Sequence, residues 1–284
     1  MKSTTRKIID IVVYFFAFVG FSFTLVFFAM RLGFTKTASI IDSHSNFVNQ
    51  IKNEEITKSD LSEEYSSYPL GNWIESDEWK VLKKAMEKDS PTINQVAYVI
   101  DIPPRIIAAQ IVAEQLRLFT SERDIFKQVF APLAVLGTQT QFSLGVTGIK
   151  EETAKQIEDH LKDPNSEYYL GDSYAHLLDY PEGASGTQRI TRLSNIRDHY
   201  YSYLYTALYI KQIERQWRSA LYPIENRPEI ISTLFNLGFS KSVPNPNPQI
   251  GGASLSINGE GYSFGGLAGE FYYSNELTDI FPKN

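Results

Sequence analysis

The sequence predicts a mostly α-helical domain with a small, late β-hairpin, joined to an N-terminal transmembrane helix. Three observations support this fold class. Residues 8–30 are almost wholly apolar, with Asp10 as their one charged residue. Between about residues 73 and 238, apolar residues recur at helical spacing between capping and breaking residues. Later, "SLSINGEGYSF" alternates apolar and polar residues around Asn258-Gly259, a pair typical of two-residue hairpin turns.

The composition indicates a folded chain and excludes several kinds of site. With 284 residues the chain suffices for one large domain or two small ones, and its 17 Tyr and 18 Phe argue against general disorder. The formal charge of -6 argues against nucleic acid as a partner, because nucleic-acid binding selects for a basic surface. There is no cysteine for disulfides or thiolate sites, and the four histidines lack metal-ligand spacing. We therefore expect no metal and no cofactor.

The apolar N-terminal segment has the length of a membrane-spanning signal anchor. At about 1.5 Å per residue, such a helix crosses a hydrocarbon layer of about 30 Å. Lys2, Arg6 and Lys7 precede it, so the positive-inside rule places the N-terminus in the cytoplasm and the main domain on the extracytoplasmic side. A cleaved signal peptide is the alternative. The predicted organisation is a cytoplasmic tail (1–7), an anchor in the lipid bilayer (8–30), a polar stalk (31–72) and a globular domain (73–284).

Caps and breakers predict where the helices of the globular domain begin and end. Ser76 caps a first helix, Pro91 lies in the first turn of a second, and Pro103 and Pro104 end that helix and start a third. A further helix would begin at Ser121, which has capping-box spacing with Asp124. The helices predicted downstream are "KEETAKQIEDHLK", about residues 189–220, and "PEIISTLFNL", which begins at Pro228 and ends at Gly238. The glycine-rich tail is predicted to form the hairpin with no helix after it.

One acidic residue interrupts the apolar stripe of the third helix, "IIAAQIVAEQLRLF". Ile107, Ile111 and Glu114 lie at helical spacing on one face, which places the carboxylate on the surface expected to be buried. Burial disfavours an ionised carboxylate, so a buried carboxyl tends to hold its proton, the form that a general acid needs. The alternative is that Glu114 lies at the edge of the stripe and pairs with Arg117 or another cation.

Motifs that follow Glu114 in the sequence favour a catalytic role for this residue. The segment "AAQIVAEQ", which contains Glu114, precedes "FSLGVTGIKEETA". In these two segments the chain resembles the lytic transglycosylases and goose-type lysozymes, in which an "A-x-I-x-x-E" helix ends near the catalytic Glu and is followed by an "S-x-G-x-x-Q-I" loop and then "T-A". The positions that match the loop and the next helix are Ser143, Gly145, Ile149, Thr153 and Ala154.

A third motif of the family, "A-x-Y-N-x-G", ends a later helix. The chain has "STLFNLG", in which Asn236 and Gly238 match and Phe235 replaces the tyrosine. Gly148 stands where the family loop has its glutamine. The resemblance covers about residues 92–240 and implies a lysozyme-like fold.

The resemblance also implies a reaction. The substrate would be the glycan strand of peptidoglycan, cleaved between N-acetylmuramic acid and N-acetylglucosamine with Glu114 as the catalytic acid and base. In the family mechanism the muramic 6-hydroxyl closes a 1,6-anhydro ring. A hydrolytic lysozyme would need a second acid, for which Asp124, Glu151 and Glu152 are available, although first-turn acids usually serve as helix caps.

The matched positions carry implied roles in substrate binding. Ser143 would orient the Glu114 carboxyl, or be an ordinary turn serine. Glycines in the loop would let the backbone approach the sugar closely, or merely allow the turn. The implied substrate-binding residues are Ser143, Gly145, Gly148, Phe235 and Asn236.

Two other classes of function fit the sequence. One is a non-catalytic glycan-binding or scaffold module on a lysozyme-like fold at the cell envelope, which the substitutions at positions 148 and 235 favour. The other is a membrane-tethered assembly protein that uses "DHYYSYLYTALY" as a partner surface, although core packing is the expected role for most of these tyrosines. The sequence identifies no protein partner.

Overall fold

The computed structural model describes residues 71–120, 143, 144, 146–180, 186–195 and 197–283, together with Phe21. The chain divides into the units Met1–Ile40 and Ile41–Asn284, and every element named below belongs to the second. The predicted anchor, apart from Phe21, and the helix predicted from Ser121 lie outside the described residues. None of the described helices is long and apolar enough to cross a membrane.

The described part of the chain is mostly α-helical with two short antiparallel hairpins, which confirms the predicted class at this level. Its helices are α1 (Asp77–Ile100), α2 (Pro104–Thr120), α3 (Glu151–Lys162), α4 (Gly186–Leu193), α5 (Tyr200–Ser219), α6 (Pro228–Leu237) and α7 (Phe264–Tyr273). Its strands are β1 (Ser143–Leu144), β2 (Ile149–Lys150), β3 (Ser254–Ile257) and β4 (Glu260–Ser263), paired β1–β2 and β3–β4.

Several predicted boundaries are confirmed by local geometry. The Ser76 hydroxyl caps α1 by accepting from the backbone N–H of Trp79 at 3.0 Å. Helix α2 begins at Pro104, and α6 runs from Pro228 to the residue before Gly238. The late hairpin turns at Asn258 and Gly259, both with positive φ (51° and 82°), as this pair favours.

The prediction that Pro91 begins a second helix is wrong, because α1 continues through it. Proline has no N–H for the carbonyl of Glu87, four residues earlier, and an interior proline therefore usually breaks a helix. Here the Ser90 hydroxyl donates to that carbonyl at 2.8 Å. The side chain before the proline thus replaces the missing backbone bond.

The helix predicted over 189–220 is two helices, α4 and α5, separated by residues 194–199. Two local turns interrupt it. Asn195 Oδ1 accepts from the N–H of Arg197 at 3.0 Å, and Asp198 Oδ1 accepts from that of Tyr200, also at 3.0 Å. Side-chain carbonyls of this kind compete with the helical hydrogen bonds and favour a turn.

The glycine-rich tail is followed by a helix, α7, contrary to the prediction. Its glycines allow very close packing against α6. A Cβ at Gly265 would lie 2.1 Å from Thr233 Oγ1 and 2.5 Å from the Glu229 carbonyl oxygen, and one at Gly269 would lie 3.0 Å from Glu229 Cβ. The low helix propensity of glycine is therefore outweighed by tertiary contact.

Helix α5 lies at the centre of the domain, where it packs against α1, α2, α3, α4 and α6. Its tyrosines Tyr203, Tyr205 and Tyr209 are buried, as core packing predicts. Helix α2 is buried on all sides from Arg105 to Glu114 rather than along one stripe. This burial places Glu114 at the end of a fully enclosed helical segment.

The C-terminal segment is tied to α2 by Arg105, whose side chain is fully buried. Its guanidinium donates to the backbone carbonyls of Phe271, Tyr272, Ser274, Glu276 and Phe281 at 2.6–3.0 Å. Desolvation lowers the pKa of Arg105 to about 10. Carbonyl dipoles therefore compensate a buried charge and hold the end of the chain.

Candidate functional site

Glu114 is buried, as its position on the apolar stripe predicts. It retains 3% of its accessible surface and follows Val112 and Ala113, which retain none. A carboxylate in such surroundings requires either a proton or a cation to compensate its charge. The structure supplies the cation.

Arg117 binds both oxygens of Glu114. Its Nη2 lies 2.6 Å from Glu114 Oε1, and its Nε lies 3.0 Å from Oε2. The two residues therefore form an ion pair with two charge-assisted hydrogen bonds. The pairing is the alternative that the sequence left open, but it does not place Glu114 at an exposed edge, since the Arg117 side chain is itself only 12% exposed.

The β1–β2 turn packs directly on this carboxylate. Gly148 has a φ of +67°, and a Cβ added to it would lie 2.0 Å from Glu114 Oε1. The turn is held from two sides. Gln115 Nε2 donates to the Val146 carbonyl at 2.6 Å, and the Thr147 hydroxyl lies 3.3 Å from that of Ser202. Gly148 therefore allows the backbone of the turn to lie close to the Glu114 carboxyl group. The predicted close approach of this backbone to a sugar stays a prediction.

The predicted loop serine belongs to the same hairpin. Ser143 pairs with Lys150 across the two strands. Its side chain and Gly145 lie outside what the structure describes, so the predicted hydrogen bond from Ser143 to Glu114 stays a prediction.

The third motif segment lies at the C-terminal end of α6. The Phe235 ring lies 5.1 Å from the Tyr209 ring and 6.5 Å from the Phe264 ring, between centroids. Asn236 Oδ1 accepts from the backbone N–H of Ala253 at 2.8 Å. Because a backbone N–H can only donate, this bond fixes the orientation of the Asn236 amide.

These segments meet at one cavity of about 370 Å³, although they are distant in sequence. Its walls include Glu114 and Arg117 from α2, Gly148 from the hairpin, and Phe235 and Asn236 from α6. The predicted site residues whose side chains are described therefore come together, with Glu114 and Arg117 forming a charged pair in the wall.

Sequence reasoning missed Tyr209 as a residue of this site. It lines the cavity, its hydroxyl is buried, and no described residue hydrogen-bonds to it. Burial raises the pKa of Tyr209 well above its ordinary value, so the hydroxyl keeps its proton. It is one of several tyrosines in the helical repeat of α5, and no sequence signal distinguishes it from its neighbours.

The other acids proposed for a hydrolytic mechanism are arranged differently. Asp124 lies outside the described residues. Glu151 pairs with Arg189 at 2.5 Å, whereas Glu152 is exposed at the cavity rim. Within the described ranges, no group of three His, Asp or Glu side chains could hold a metal ion.

Comparisons of the chain with protein-family models, curated proteins and solved structures found no significant match. A functional proposal therefore depends on the geometry of this cavity and on the motifs that line it.

Proposed function

We propose that the protein is a membrane-anchored peptidoglycan lytic transglycosylase with Glu114 as its one catalytic carboxyl group. One observation carries the proposal. The acid-bearing helix, the glycine turn and the end of α6, which are the segments of the motif resemblance, line a single cavity around a buried glutamate. The anchor over residues 8–30 and the extracytoplasmic location of the domain are parts of the same proposal.

The proposed reaction rearranges one sugar and consumes no water. Protonated Glu114 gives its proton to the bridging oxygen as the bond to muramic C1 breaks, while the acetamido oxygen of that sugar bonds to C1. The Glu114 carboxylate then removes the proton of the 6-hydroxyl. The 6-oxygen displaces the acetamido oxygen at C1, giving a 1,6-anhydro end and a free N-acetylglucosamine 4-hydroxyl.

The surroundings of Glu114 set one requirement for this reaction. In the resting protein the carboxylate is paired through both oxygens, and an ionised carboxylate has no proton to donate. Catalysis therefore requires Arg117 to leave Glu114 before the proton is taken up. Tyr209 lines the same cavity, and its buried hydroxyl has no hydrogen-bond partner among the described residues.

The test is digestion of purified peptidoglycan sacculi by the full-length protein, with the released muropeptides analysed by mass. The wild type should release 1,6-anhydromuropeptides, and Glu114→Gln should lower the rate at least about 100-fold, as expected for loss of a general acid. Glu87→Gln, an equal charge change on the exposed face of α1, is the matched control and should keep the wild-type rate. Equal release by Glu114→Gln and the wild type would exclude the catalytic role.

A second candidate is a non-catalytic glycan-binding or scaffold module, which the Glu114–Arg117 pair favours. A permanently paired carboxylate would be a structural element of the cavity wall. The same digestion separates the two functions, because this module would retain sacculi in a sedimentation assay without releasing any muropeptide.

A further inference from the structure

Glu114 is the more tightly held member of the Glu114–Arg117 pair. The enclosed helix α2 and the Gly148 turn hold it in place, and the turn leaves no room for a Cβ beside its oxygen. Arg117 lies one turn nearer the end of the same helix, has the longer side chain and lines the cavity. Opening of the pair therefore needs a second place in the cavity for the Arg117 guanidinium.

A guanidinium that leaves its carboxylate needs another acceptor. It is always charged, and its five N–H groups donate without accepting. Among the described residues of the cavity wall, Glu152 is the one carboxyl group besides Glu114. Glu152 is therefore the second partner that the wall offers to Arg117.

Glu152 is not engaged by the cations that surround it. It lies in the first turn of α3 with an exposed side chain. Lys155, three residues later, pairs with Asp159 at 2.6 Å. Arg189 pairs with the preceding Glu151 at 2.5 Å. Within the described ranges Glu152 itself forms no ion pair, so its carboxylate can accept a new cation.

Arg117 and Glu152 face the same space. Gly148, whose backbone lies against Glu114, precedes Glu152 by only four residues, and both line the cavity. The cavity measures about 370 Å³, near the lower end of the range for ligand pockets. An exchange of partners therefore needs side-chain rotation and no movement of α2 or α3. Lys150, the other cation of the wall, is the competitor of Arg117 for Glu152.

We propose that Glu152 is a positioning residue that receives Arg117 when Arg117 leaves Glu114. The inference rests on the proposed function and specifies how its resting site is activated. With Arg117 on Glu152, the Glu114 carboxyl group is free to take up the proton that the reaction needs. The other titratable groups of the wall, Lys150 and Tyr209, keep their places.

Thermal unfolding of the full chain tests the exchange without any substrate. Glu114→Gln removes the carboxylate that Arg117 now binds, so the guanidinium in this variant should pair with Glu152. Adding Glu152→Gln should then lower the midpoint by at least about 2 °C, whereas the same change in the wild type should lower it by less than about 1 °C. Glu87→Gln, on the exposed face of α1, is the charge-matched control and should have the same small effect in both backgrounds.

Two further variants identify the partner of Glu152. When Glu114→Gln is combined with Arg117→Met, no guanidinium remains, and Glu152→Gln should again lower the midpoint by less than about 1 °C. Lys150→Met in place of Arg117→Met should leave the loss at about 2 °C or more. Equal effects of Glu152→Gln with and without Glu114, or a loss that depends on Lys150 and not on Arg117, would overturn the proposal.

Rates of muropeptide release measure the role of Glu152 in the proposed reaction. Glu152→Gln should lower the rate about tenfold, because Arg117 then has no second partner and stays on Glu114. Glu152→Asp, which keeps a carboxylate, should restore most of the rate. In Arg117→Met, Glu152→Gln should change the rate by less than about twofold, a dependence on Arg117 that a merely structural role of Glu152 would not produce.

The unfolding and release measurements separate this inference from the proposed function. Coupling of Glu152 to Arg117 without any muropeptide release keeps the exchange and excludes the transglycosylase. Release of anhydromuropeptides without this coupling, and at an unchanged rate in Glu152→Gln, excludes the exchange and keeps the proposed function.

Discussion

Gly148 and Glu114 are so close that position 148 can hold no side chain while the glutamate keeps its place. The added Cβ would lie 2.0 Å from Oε1 and 2.3 Å from Cδ of Glu114. The backbone imposes a second constraint, because a φ of +67° disfavours residues with a Cβ. Both constraints act on the turn that covers the candidate catalytic acid.

Gly148→Ala should therefore lower the free energy of unfolding by about 2 kcal/mol or more, through backbone strain and displacement of Glu114. Gly171→Ala is the matched control. It changes a glycine at φ +103° with nothing within 4 Å of the added Cβ, so it reports the backbone effect alone. Urea unfolding followed by tryptophan fluorescence measures both, and Trp73, Trp79 and Trp217 are all buried reporters.

A second variant isolates the steric contact. Adding Glu114→Ala to Gly148→Ala removes the atoms that the new Cβ would meet, so the double variant should be more stable than the sum of the single effects allows. Additive losses would show that the two residues do not contact each other.

Arg117→Met should destabilise the protein by about 2 kcal/mol or more, because it leaves the Glu114 carboxylate buried without its cation. Glu114→Gln should destabilise the protein less than Arg117→Met does, because the arginine that it leaves unpaired has a longer side chain with some access to solvent. Removing both charges should recover most of the stability lost in Arg117→Met. The measurement is a double-mutant cycle by urea unfolding, and a double variant no better than Arg117→Met would contradict the buried-pair energetics.

How far the sequence predicts this site depends on the range of the interactions. The spacing of Glu114 and Arg117 is local, so a pairing between them could be predicted, and so could the burial of the acid. The cavity could not. It exists because a turn held by Gln115 and the end of α6 reach the same place, and nothing local to Glu114 determines those contacts.

The same distinction between local and long-range interactions applies to the fold. Boundaries set by neighbours in sequence, such as the Ser76 cap and the Asn258-Gly259 turn, were predicted correctly. Helix α7 was missed because Gly265 and Gly269 are unfavourable in an isolated helix and favourable only against α6. Helix α1 continues through Pro91 because the Ser90 hydroxyl replaces the missing backbone hydrogen bond. Helix propensity alone does not take this side-chain hydrogen bond into account.

Glu214 gives the stability of the domain a pH dependence of known sign. Burial, and then the nearby Glu225, raise the pKa of Glu214 from 4.5 to about 7. Between these values the folded state keeps a proton that the unfolded state has released, so stability should fall as the pH rises from 4.5 to 7. The shift corresponds to about 3 kcal/mol.

Glu214→Gln should remove this dependence, and the variant should be more stable than the wild type at pH 8. Free energies of unfolding at pH 5 and pH 8 test it, with the exposed Glu87→Gln as the charge-matched control. An unchanged difference between the two pH values in Glu214→Gln would assign the dependence to other groups.

Arg105 should contribute more to stability than any exposed arginine, because its guanidinium binds five backbone carbonyls at once, three of them through buried hydrogen bonds. Arg105→Lys keeps the charge but provides three donors at most, and should lower the free energy of unfolding by about 2 kcal/mol or more. Arg218→Lys is the matched control, since that side chain is 62% exposed, and it should change stability by less than about 0.5 kcal/mol.

Hydrogen exchange gives the Arg105 prediction a local readout. The carbonyls that Arg105 binds lie between residues 271 and 281, so loss of the guanidinium should free that segment before the rest of the domain. Faster exchange confined to the end of α7 and the residues after it is expected in Arg105→Lys. Uniformly faster exchange across α1, α5 and the C-terminal segment would instead mean that Arg105 stabilises the whole core without acting as a tie for the end of the chain.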